Sequence, residues 1–334
     1  MEGSSPPLRV CAYEDRKEAM DSLVLMAESL CAVDKKVSLH LTVPDAPESV
    51  LAWARTRPEV VISTERPQGV TGWDVKPWLL LHHLNQGVDR VLWLDDDIIV
   101  TRPISEMLLK FPSDALIFAE EWGTWTVPVS HLWGFKSVRP VQLFNNCFIH
   151  VTQAHRPLME RWLQMTRDPR YREAQALPYE QRPVQAQHDG WLLIALLESD
   201  EFSDVRFDCI RSGRDIAQCA GSSGYRPLAR LLGLFTGLPP LIHGLGRKPW
   251  GVVGEQRRMQ RFLLDFATDV SPYVLASHKV AKGLKMPLDW IEPRTQLGSI
   301  SRTLTGSHPG MAGLPMATAH AAHLGIRRMM GKSE

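Results

Sequence analysis

The chain has 334 residues, of which 44% are hydrophobic and 22% charged, as is typical of a soluble globular protein with one large or two modest domains. Its net charge of +1 offers nucleic acid no general attraction. Residues 1–10 lack the apolar core of a signal peptide, and no apolar run approaches the ~18 residues of a membrane span. The five cysteines form no Cys-x-x-Cys pair, which argues against a zinc site and predicts reduced thiols in a cytoplasmic protein.

Strand-like and helix-like segments alternate over the first hundred residues. Apolar runs and apolar–polar alternation predict strands at 8–13, 37–43 and 59–63. Helical spacing predicts a second helix at 77–86, ended by Gly87, and a first one with Asp15 and Glu18 as its cap and an apolar face of Leu23, Met26, Ala27 and Leu30. This order predicts an α/β fold with a mostly parallel, twisted sheet and helices on both faces.

Residues 91–100 (VLWLDDDIIV) are predicted to form a buried strand that contains three consecutive carboxylates. Alternation places Asp95 and Asp97 on one face of that strand and Asp96 on the other. Two such carboxylates ~6–7 Å apart repel by roughly 2–3 kcal/mol at an effective dielectric constant of about 20. A divalent cation with oxygen ligands would remove this penalty at the carboxyl end of the strand, where ligands bind in parallel sheets. A solvated acidic turn is the alternative.

The second half of the chain is less regular. Its apolar patterns predict strands at 115–119 and 147–151 and helices at 154–165 and 190–198. Between them lie loops with Trp122, Trp125 and Trp133, which are candidates for a substrate rim.

The composition changes near residue 271, where Gly, Ser, Thr and Pro become frequent and basic residues outnumber acidic ones. We therefore expect a main domain at 1–270 and a basic, partly irregular tail at 271–334. Residues 316–330 predict a weakly amphipathic basic helix that could touch anionic lipid, which would place the protein peripherally at the inner face of the membrane.

A second chemical motif, HGLGRKPW, occupies residues 243–250. The neutral imidazole of His243 can ligate a metal, Gly246 lets the backbone approach a ligand, and Lys248 offers a positive charge to phosphate. Alone, the motif also fits a surface loop. Together with the carboxylates at 95–97 it predicts a site for a cation and a diphosphate.

The two motifs together resemble glycosyltransferase family 8 and its relatives with the GT-A (Rossmann-like) fold, over roughly residues 8–260. The resemblance implies that residues 1–270 form a nucleotide-sugar transferase domain of the hexosyltransferase type, with a UDP-sugar as the usual donor and retention of anomeric configuration. It makes Asp95, Asp97 and His243 ligands of Mn²⁺ or Mg²⁺. It places Gly246 and Lys248 on the phosphates and Asp96 near the ribose. The acceptor could be a glycan, a lipid, a protein or a small molecule.

Looser matches to the same family extend the predicted site. The first strand end, with Ala12, Tyr13 and Asp15, resembles the segment that holds the nucleotide base. Lys76 resembles the basic residue near the donor, and Asn145 the amide that contacts the donor sugar. An ordinary strand end, helix cap or turn would also explain each of these segments.

Three departures from the family pattern concern the phosphate and sugar positions. The 243–250 loop is one residue shorter than usual, Cys147 replaces a glycine, and His188-Asp189 stands where relatives carry an Asp-Gln pair. Asp189 could stabilise a cationic sugar or take a proton from the acceptor, with His188 orienting it. It could equally be a plain helix cap.

Two other functions remain open from the sequence. A phosphohydrolase of the haloacid dehalogenase type also places Asp-x-Asp after a buried strand, although it expects Thr or Val where this chain has Ile99. A non-catalytic nucleotide-sugar binding protein would explain the altered pair at 188–189.

Overall fold

Strands and helices alternate along the residues that the computed structural model describes, which are 7–121, 129–251, 258–286 and 288–330. The strands are β1 (Leu8–Tyr13), β2 (Val37–Thr42), β3 (Val60–Ser63), β4 (Arg90–Leu94), β5 (Ile98–Val100), β6 (Leu116–Glu120), β7 (Phe144–Thr152), β8 (Phe207–Ile210), β9 (Ile216–Gln218) and β10 (Leu241–His243). The helices are α1 (Met20–Val33), α2 (Glu48–Arg55), α3 (Val75–Asn85), α4 (Ile104–Leu108), α5 (Arg156–Met165), α6 (Pro169–Gln175), α7 (Asp189–Glu198), α8 (Pro227–Thr236), α9 (Arg258–Asp269), α10 (Pro272–Leu284), α11 (Gln296–Leu304) and α12 (Leu314–Met329).

Two compact units interleave along the sequence. The first comprises Met1–Asp15, Lys36–Asp95 and Leu108–Ile210, and the second Arg16–Lys35, Asp96–Met107 and Arg211–Glu334. Each unit is therefore assembled from three separate stretches of chain. The predicted domain division at residue 270 falls inside the second unit, and that division remains a prediction.

The first unit is built on a seven-stranded sheet in the order β3-β2-β1-β4-β7-β6-β8. The neighbours β3/β2, β2/β1, β1/β4 and β6/β8 are parallel, and β7 alone runs antiparallel to β4 and β6. Helices flank this sheet, so its central strands are buried on both faces and read as continuous apolar runs. The predicted α/β class with a mostly parallel sheet is confirmed.

The core of the first unit lies between the sheet and helices α3, α5 and α7. All ten residues of α7 are buried, which explains why this helix is apolar around its whole circumference. Its two charged residues, Asp189 and Glu198, lie at the two ends of the helix.

The acidic segment at 91–100 is not one strand, as predicted, but two. β4 pairs with β1 and β7, whereas β5 pairs with β10 in a different sheet. The chain must turn to leave one sheet for the other, and Asp95, Asp96 and Asp97 form that turn. The three carboxylates therefore lie in a turn and not within a strand.

The second unit contains a three-stranded sheet in the order β5-β10-β9, in which β10 is antiparallel to β5 and parallel to β9. Helix α1 packs against β5 and α10, and α10 packs against β10. Leu25, Ile99, Ile242 and Tyr273 meet in its core.

Residues 271–330 contain α10, α11 and α12, so the predicted helix near 316–330 is confirmed. Tyr273, Val274 and Leu275 of α10 are buried. Among the described residues, no helix has both the length and the apolar character needed to cross a bilayer.

Two smaller predictions need correction. Asp15 and Glu18 do not cap α1, because a 3₁₀ turn at Lys17–Ala19 intervenes and Ala19 is the N-cap residue. Trp133 is buried in the core of the first unit and is not part of a rim. Trp122 and Trp125 lie outside the described residues.

Candidate functional site

The tripeptide Asp95-Asp96-Asp97 lies where the first unit ends and the second resumes. Asp95 belongs to the first unit and Asp97 to the second, two residues later on the chain. A carboxylate removed from water loses hydration, which costs free energy unless other groups replace it. Each carboxylate therefore requires positive or hydrogen-bonding partners.

In the second unit, Asp97 is buried between a lysine and a histidine. Lys248 Nζ donates to Asp97 Oδ2, and His243 Nε2 lies 3.4 Å from Asp97 Oδ1. The strand register produces this contact, because β10 places His243 opposite Ile98, the residue after Asp97. The structure thus joins the two sequence motifs at one carboxylate.

The donor set at Asp97 and His243 fits a divalent cation. Asp97 Oδ1 is buried and accepts no hydrogen bond from the described residues. A carboxylate oxygen that faces an imidazole nitrogen is a pair of ligands suited to Mn²⁺, and to Mg²⁺ where further oxygen ligands complete the shell.

The loop after β10 folds back over the Asp97 carboxylate. Gly244 N donates to the backbone oxygen of Asp97 at 2.9 Å, and Lys248 Nζ also donates to Gly244 O at 2.8 Å. A Cβ atom on Gly244 would lie 3.0 Å from the ring of Tyr273, so this close approach favours glycine. Gly246 has φ +74°, a left-handed conformation that also favours glycine.

Asp96 faces the start of α1 in the same unit. Ser22 Oγ donates to Asp96 Oδ2 at 2.8 Å, and Arg16 Nη2 lies 3.5 Å from Asp96 Oδ1. A carboxylate at a helix N-terminus is favoured by the helix dipole. These contacts already give Asp96 a structural role, and a contact with ribose remains a prediction.

In the first unit, Asp95 pairs with Lys76 in the first turn of α3. Lys76 Nζ lies 3.1 Å from Asp95 Oδ1, and Trp93 Nε1 donates to the same oxygen at 2.6 Å. Burial alone would lower the pKa of Lys76, but the carboxylates of Asp95 and Asp189 outweigh burial and raise it. Lys76 therefore stays charged although it is buried.

Asn146 connects Lys76 to Asp189 through hydrogen bonds. Lys76 Nζ donates to the backbone and side-chain oxygens of Asn146, both at 3.1 Å. Asn146 Nδ2 donates to the two carboxylate oxygens of Asp189 at 2.9 and 3.0 Å. Burial raises the pKa of Asp189 to about 7, although Lys76 opposes this increase. Asp189 can therefore exchange a proton near neutral pH.

Asn146 was missed by the sequence reasoning, which selected its neighbour Asn145. Asn145 instead donates to Glu121 at 3.1 Å and accepts from Cys147 N at 3.0 Å. Successive side chains of β7 point to opposite faces, so only one of the two amides can face α7. The sequence contains the Asn-Asn pair but no signal for which amide meets Asp189.

His188 precedes α7 and packs among aromatic rings. Its ring centroid lies 6.0 Å from that of Trp73 and 5.9 Å from that of Trp191. Burial, reinforced by Lys76, lowers the pKa of His188 to about 4, so the imidazole is neutral at pH 7. A Cβ atom on Gly190 would lie 3.0 Å from this ring, which explains the glycine after Asp189.

The residues predicted to hold the nucleotide base lie at the end of β1. Tyr13 Oη donates to Asp15 Oδ2 at 2.9 Å, and Arg66 Nη1 lies 3.7 Å from that oxygen. Ala12 is fully buried beside Leu41 of β2. Tyr13 and Asp15 are partly accessible, but the side chain of Ala12 is not.

No protein-family model matches the chain, and no curated protein matches its sequence. Among solved structures it is similar to the glycosyltransferase GlyE of Streptococcus pneumoniae TIGR4, at 12% identity and TM-score 0.48 over 87% of this chain and 66% of that chain. It is similar to the galactosyltransferase LgtC, solved with donor and acceptor sugar analogues, at 16% identity and TM-score 0.45 over 77% of this chain and 94% of that chain. For mouse xyloside xylosyltransferase 1 the values are 15% identity and TM-score 0.44, over 72% and 98% of the two chains.

The chain spans just under two thirds of the length of GlyE. All three of these structural neighbours are glycosyltransferases. At these identities and TM-scores, the similarity assigns the chain to no family.

Proposed function

We propose that this protein is a metal-dependent glycosyltransferase of the GT-A type, which moves a sugar from a nucleotide-sugar to an acceptor hydroxyl. The observation that carries the proposal is the contact between Asp97 and His243 at 3.4 Å. The sequence resemblance requires this pairing between motifs that lie far apart on the chain. A chance match of either motif would not bring the two together on one buried carboxylate.

Asp95, Asp97 and His243 are the proposed ligands of Mn²⁺ or Mg²⁺. The support is the buried Asp97 oxygen without a hydrogen bond from the described residues, with an imidazole beside it and a second carboxylate two residues earlier. The bound ion would neutralise the negative charge that develops on the leaving nucleoside diphosphate.

Lys248 is the proposed phosphate contact, next to the backbone of Gly246. Its ammonium group neutralises Asp97, and its side chain is partly accessible. With a cation held by Asp97, Lys248 would be available to contact a phosphate oxygen. One lysine thus serves the unliganded carboxylate and the bound diphosphate in turn.

Asp189 is the proposed catalytic carboxylate. Its pKa of about 7 allows it to take a proton from the acceptor hydroxyl, and its ionised form can stabilise positive charge on the sugar. Asn146 and Lys76 position this carboxylate, and the neutral His188 imidazole precedes it on the chain.

The finer features of the proposal come from the sequence resemblance. They are a UDP-linked hexose as donor, retention of configuration, a sugar contact by Asn145, nucleotide contacts by Ala12, Tyr13, Asp15 and Asp96, and a glycan, lipid, protein or small-molecule acceptor. The cytoplasmic location and the lipid contact through the C-terminal tail are likewise predictions from the sequence.

A screen of nucleotide-sugars with the purified protein tests the proposal. We expect at least one UDP-sugar to be hydrolysed slowly in the presence of Mn²⁺ or Mg²⁺, with release of UDP that EDTA stops. Thermal stabilisation by UDP with Mn²⁺, but no sugar release from any donor, would favour a binding protein. Phosphate release from a phosphomonoester without any nucleotide-sugar turnover would favour a phosphohydrolase.

A further inference from the structure

Helix α8 exposes the side that its sequence predicts to be buried. Leu228, Leu231, Leu232 and Phe235 follow the i, i+3, i+4, i+7 spacing of a core-facing stripe, yet all four are exposed. Leu228 is 69% exposed and Phe235 is 89% exposed. The apolar stripe therefore has no partner among the described residues that covers it.

The opposite side of α8 buries an arginine. Arg230 is 0% exposed, and its Nε donates to Tyr225 O at 2.7 Å. Its Nη1 and Nη2 donate to Gly310 O and Ser222 O. Three carbonyl groups thus hold the guanidinium inside the unit and fix the rotation of the helix, so the apolar stripe must face outward.

Helix α11 of the same unit repeats this inverted arrangement. Arg302 is buried and donates to Asp269 O at 2.8 Å and to Ile291 O at 2.6 Å. Leu297, Ile300 and Leu304, at i, i+3 and i+7, are exposed, Leu304 by 82%. Two helices that bury arginine and present leucine outward indicate an apolar environment outside the second unit.

The charged residues near these helices in the sequence indicate which kind of apolar environment the exposed stripes face. No Asp or Glu occurs from residue 216 to 254 or from 293 to 333, whereas the first of these stretches carries the exposed Arg226 and Arg247. Arg226 is exposed at the start of α8, and α12, which contacts α8, lies in the second acid-free stretch. An apolar stripe with basic and no acidic neighbours in sequence complements an anionic lipid surface.

We propose that α8 inserts its stripe of Leu228, Leu231, Leu232 and Phe235 into the interface of an anionic membrane, with Arg226 at the lipid headgroups. This contact lies in a different segment from the C-terminal tail and does not depend on the reaction proposed for the protein. It makes α8 the membrane-binding element of the second unit.

Co-sedimentation of the full chain with lipid vesicles tests the proposal. We expect binding to phosphatidylcholine vesicles that contain phosphatidylglycerol, much weaker binding to phosphatidylcholine alone, and partial release by salt. Leu228→Asp should weaken binding by about tenfold or more, because it places a charge in the stripe. Aspartate is also tolerated in the first turn of a helix, so this variant should stay folded.

Leu109→Asp is the matched control, since Leu109 is 74% exposed in the first unit and undergoes the same change of side chain. We expect it to bind vesicles like the unchanged protein, and we expect Arg226→Glu to lose the preference for anionic lipid. The proposal fails if the unchanged protein does not bind vesicles, binds both compositions equally, or loses no affinity through Leu228→Asp. A concentration-dependent dimer that Leu228→Asp dissociates, without vesicle binding, would assign the stripe to a second copy of the chain.

Discussion

Two buried aspartates in this protein are stabilised in different ways. Asp97 contacts the ammonium group of Lys248 and the imidazole of His243. Asp189 receives hydrogen bonds from the amide of Asn146, behind which lies Lys76. An amide cannot neutralise a charge, so burial dominates at Asp189 and raises its pKa to about 7. Asp97 is therefore suited to holding a positive group, and Asp189 to exchanging a proton.

Asp97→Asn should reduce metal-dependent release of UDP by at least about a hundredfold, because the amide is a poor ligand and leaves Lys248 without its counter-charge. The steady-state hydrolysis rate at saturating Mn²⁺ measures this. Asp114→Asn is the matched control, since the Asp114 carboxylate forms an exposed ion pair with Arg206. Full activity in Asp97→Asn would contradict the proposed role of this carboxylate.

The pKa of Asp189 makes the free energy of unfolding depend on pH. Folded Asp189 keeps its proton up to about pH 7, whereas in the unfolded chain it loses the proton near the ordinary aspartate pKa of 3.8. Stability from this group is therefore complete below about pH 4 and decreases as pH rises through 7, by at most about 1.4 kcal/mol per pH unit.

Asp189→Asn should remove this component. We expect the difference in unfolding free energy between the variant and the unchanged protein to grow in favour of the variant from pH 5 to about 8. Denaturant unfolding at a series of pH values gives that difference directly. A constant difference across the series would show that the pKa of Asp189 is not raised.

At the scale of the element, helix patterns alone do not decide which face is buried. Helix α7 is apolar around its circumference and is buried on all sides, as its sequence indicates. Helices α8 and α11 carry leucine stripes typical of core-facing helices, but Arg230 and Arg302 occupy the buried positions. Backbone carbonyls accept hydrogen bonds from each guanidinium, and those of Gly310 and Asp269 come from distant parts of the sequence.

Arg230→Met should destabilise the protein by about 2–4 kcal/mol, because it leaves the carbonyls of Tyr225, Ser222 and Gly310 without their donor. Equilibrium denaturation measures this loss. Leu231→Ala, on the exposed side of the same helix, should change stability by no more than about 0.5 kcal/mol. If the two variants proved equally stable, the orientation of α8 described above would be wrong.

At the scale of the whole molecule, the two units interleave along the chain, and this determines which segments can be deleted without destroying the core of a unit. Helix α10 contributes Tyr273, Val274 and Ala276 to the core that Leu25 and Ile99 also form. These core residues come from distant parts of the chain. The second unit therefore needs residues beyond 270 to bury its own apolar surface.

Truncation after residue 270 should abolish cooperative unfolding of the second unit, since it removes α10 and exposes the apolar residues that α10 covers. Calorimetry and near-ultraviolet circular dichroism of the truncated and full chains measure this. A truncated chain that unfolds cooperatively, with the enthalpy of the full chain, would support the predicted boundary at 270.

Local sequence patterns located about half of the strands and helices that the structure describes. The strands near 8–13, 37–43, 59–63, 115–119 and 147–151 were predicted, as were the helices near 77–86, 154–165, 190–198 and 316–330. The mostly parallel sheet was also predicted, because alternating strands and helices allow few other arrangements. The meeting of Asp97 with His243 was predicted from two motifs.

Only the tertiary structure decided where the chain leaves one sheet for another, which amide meets Asp189 and which face of α8 is buried. Each of these outcomes depends on a partner distant in sequence: β10 for the break after Asp95, α7 for Asn146, and the carbonyl of Gly310 for Arg230. Hydrophobic periodicity records whether a residue suits burial, but not which group lies opposite it. Hydrogen-bonding partners determine how a buried polar side chain is oriented, and only the fold brings those partners next to it.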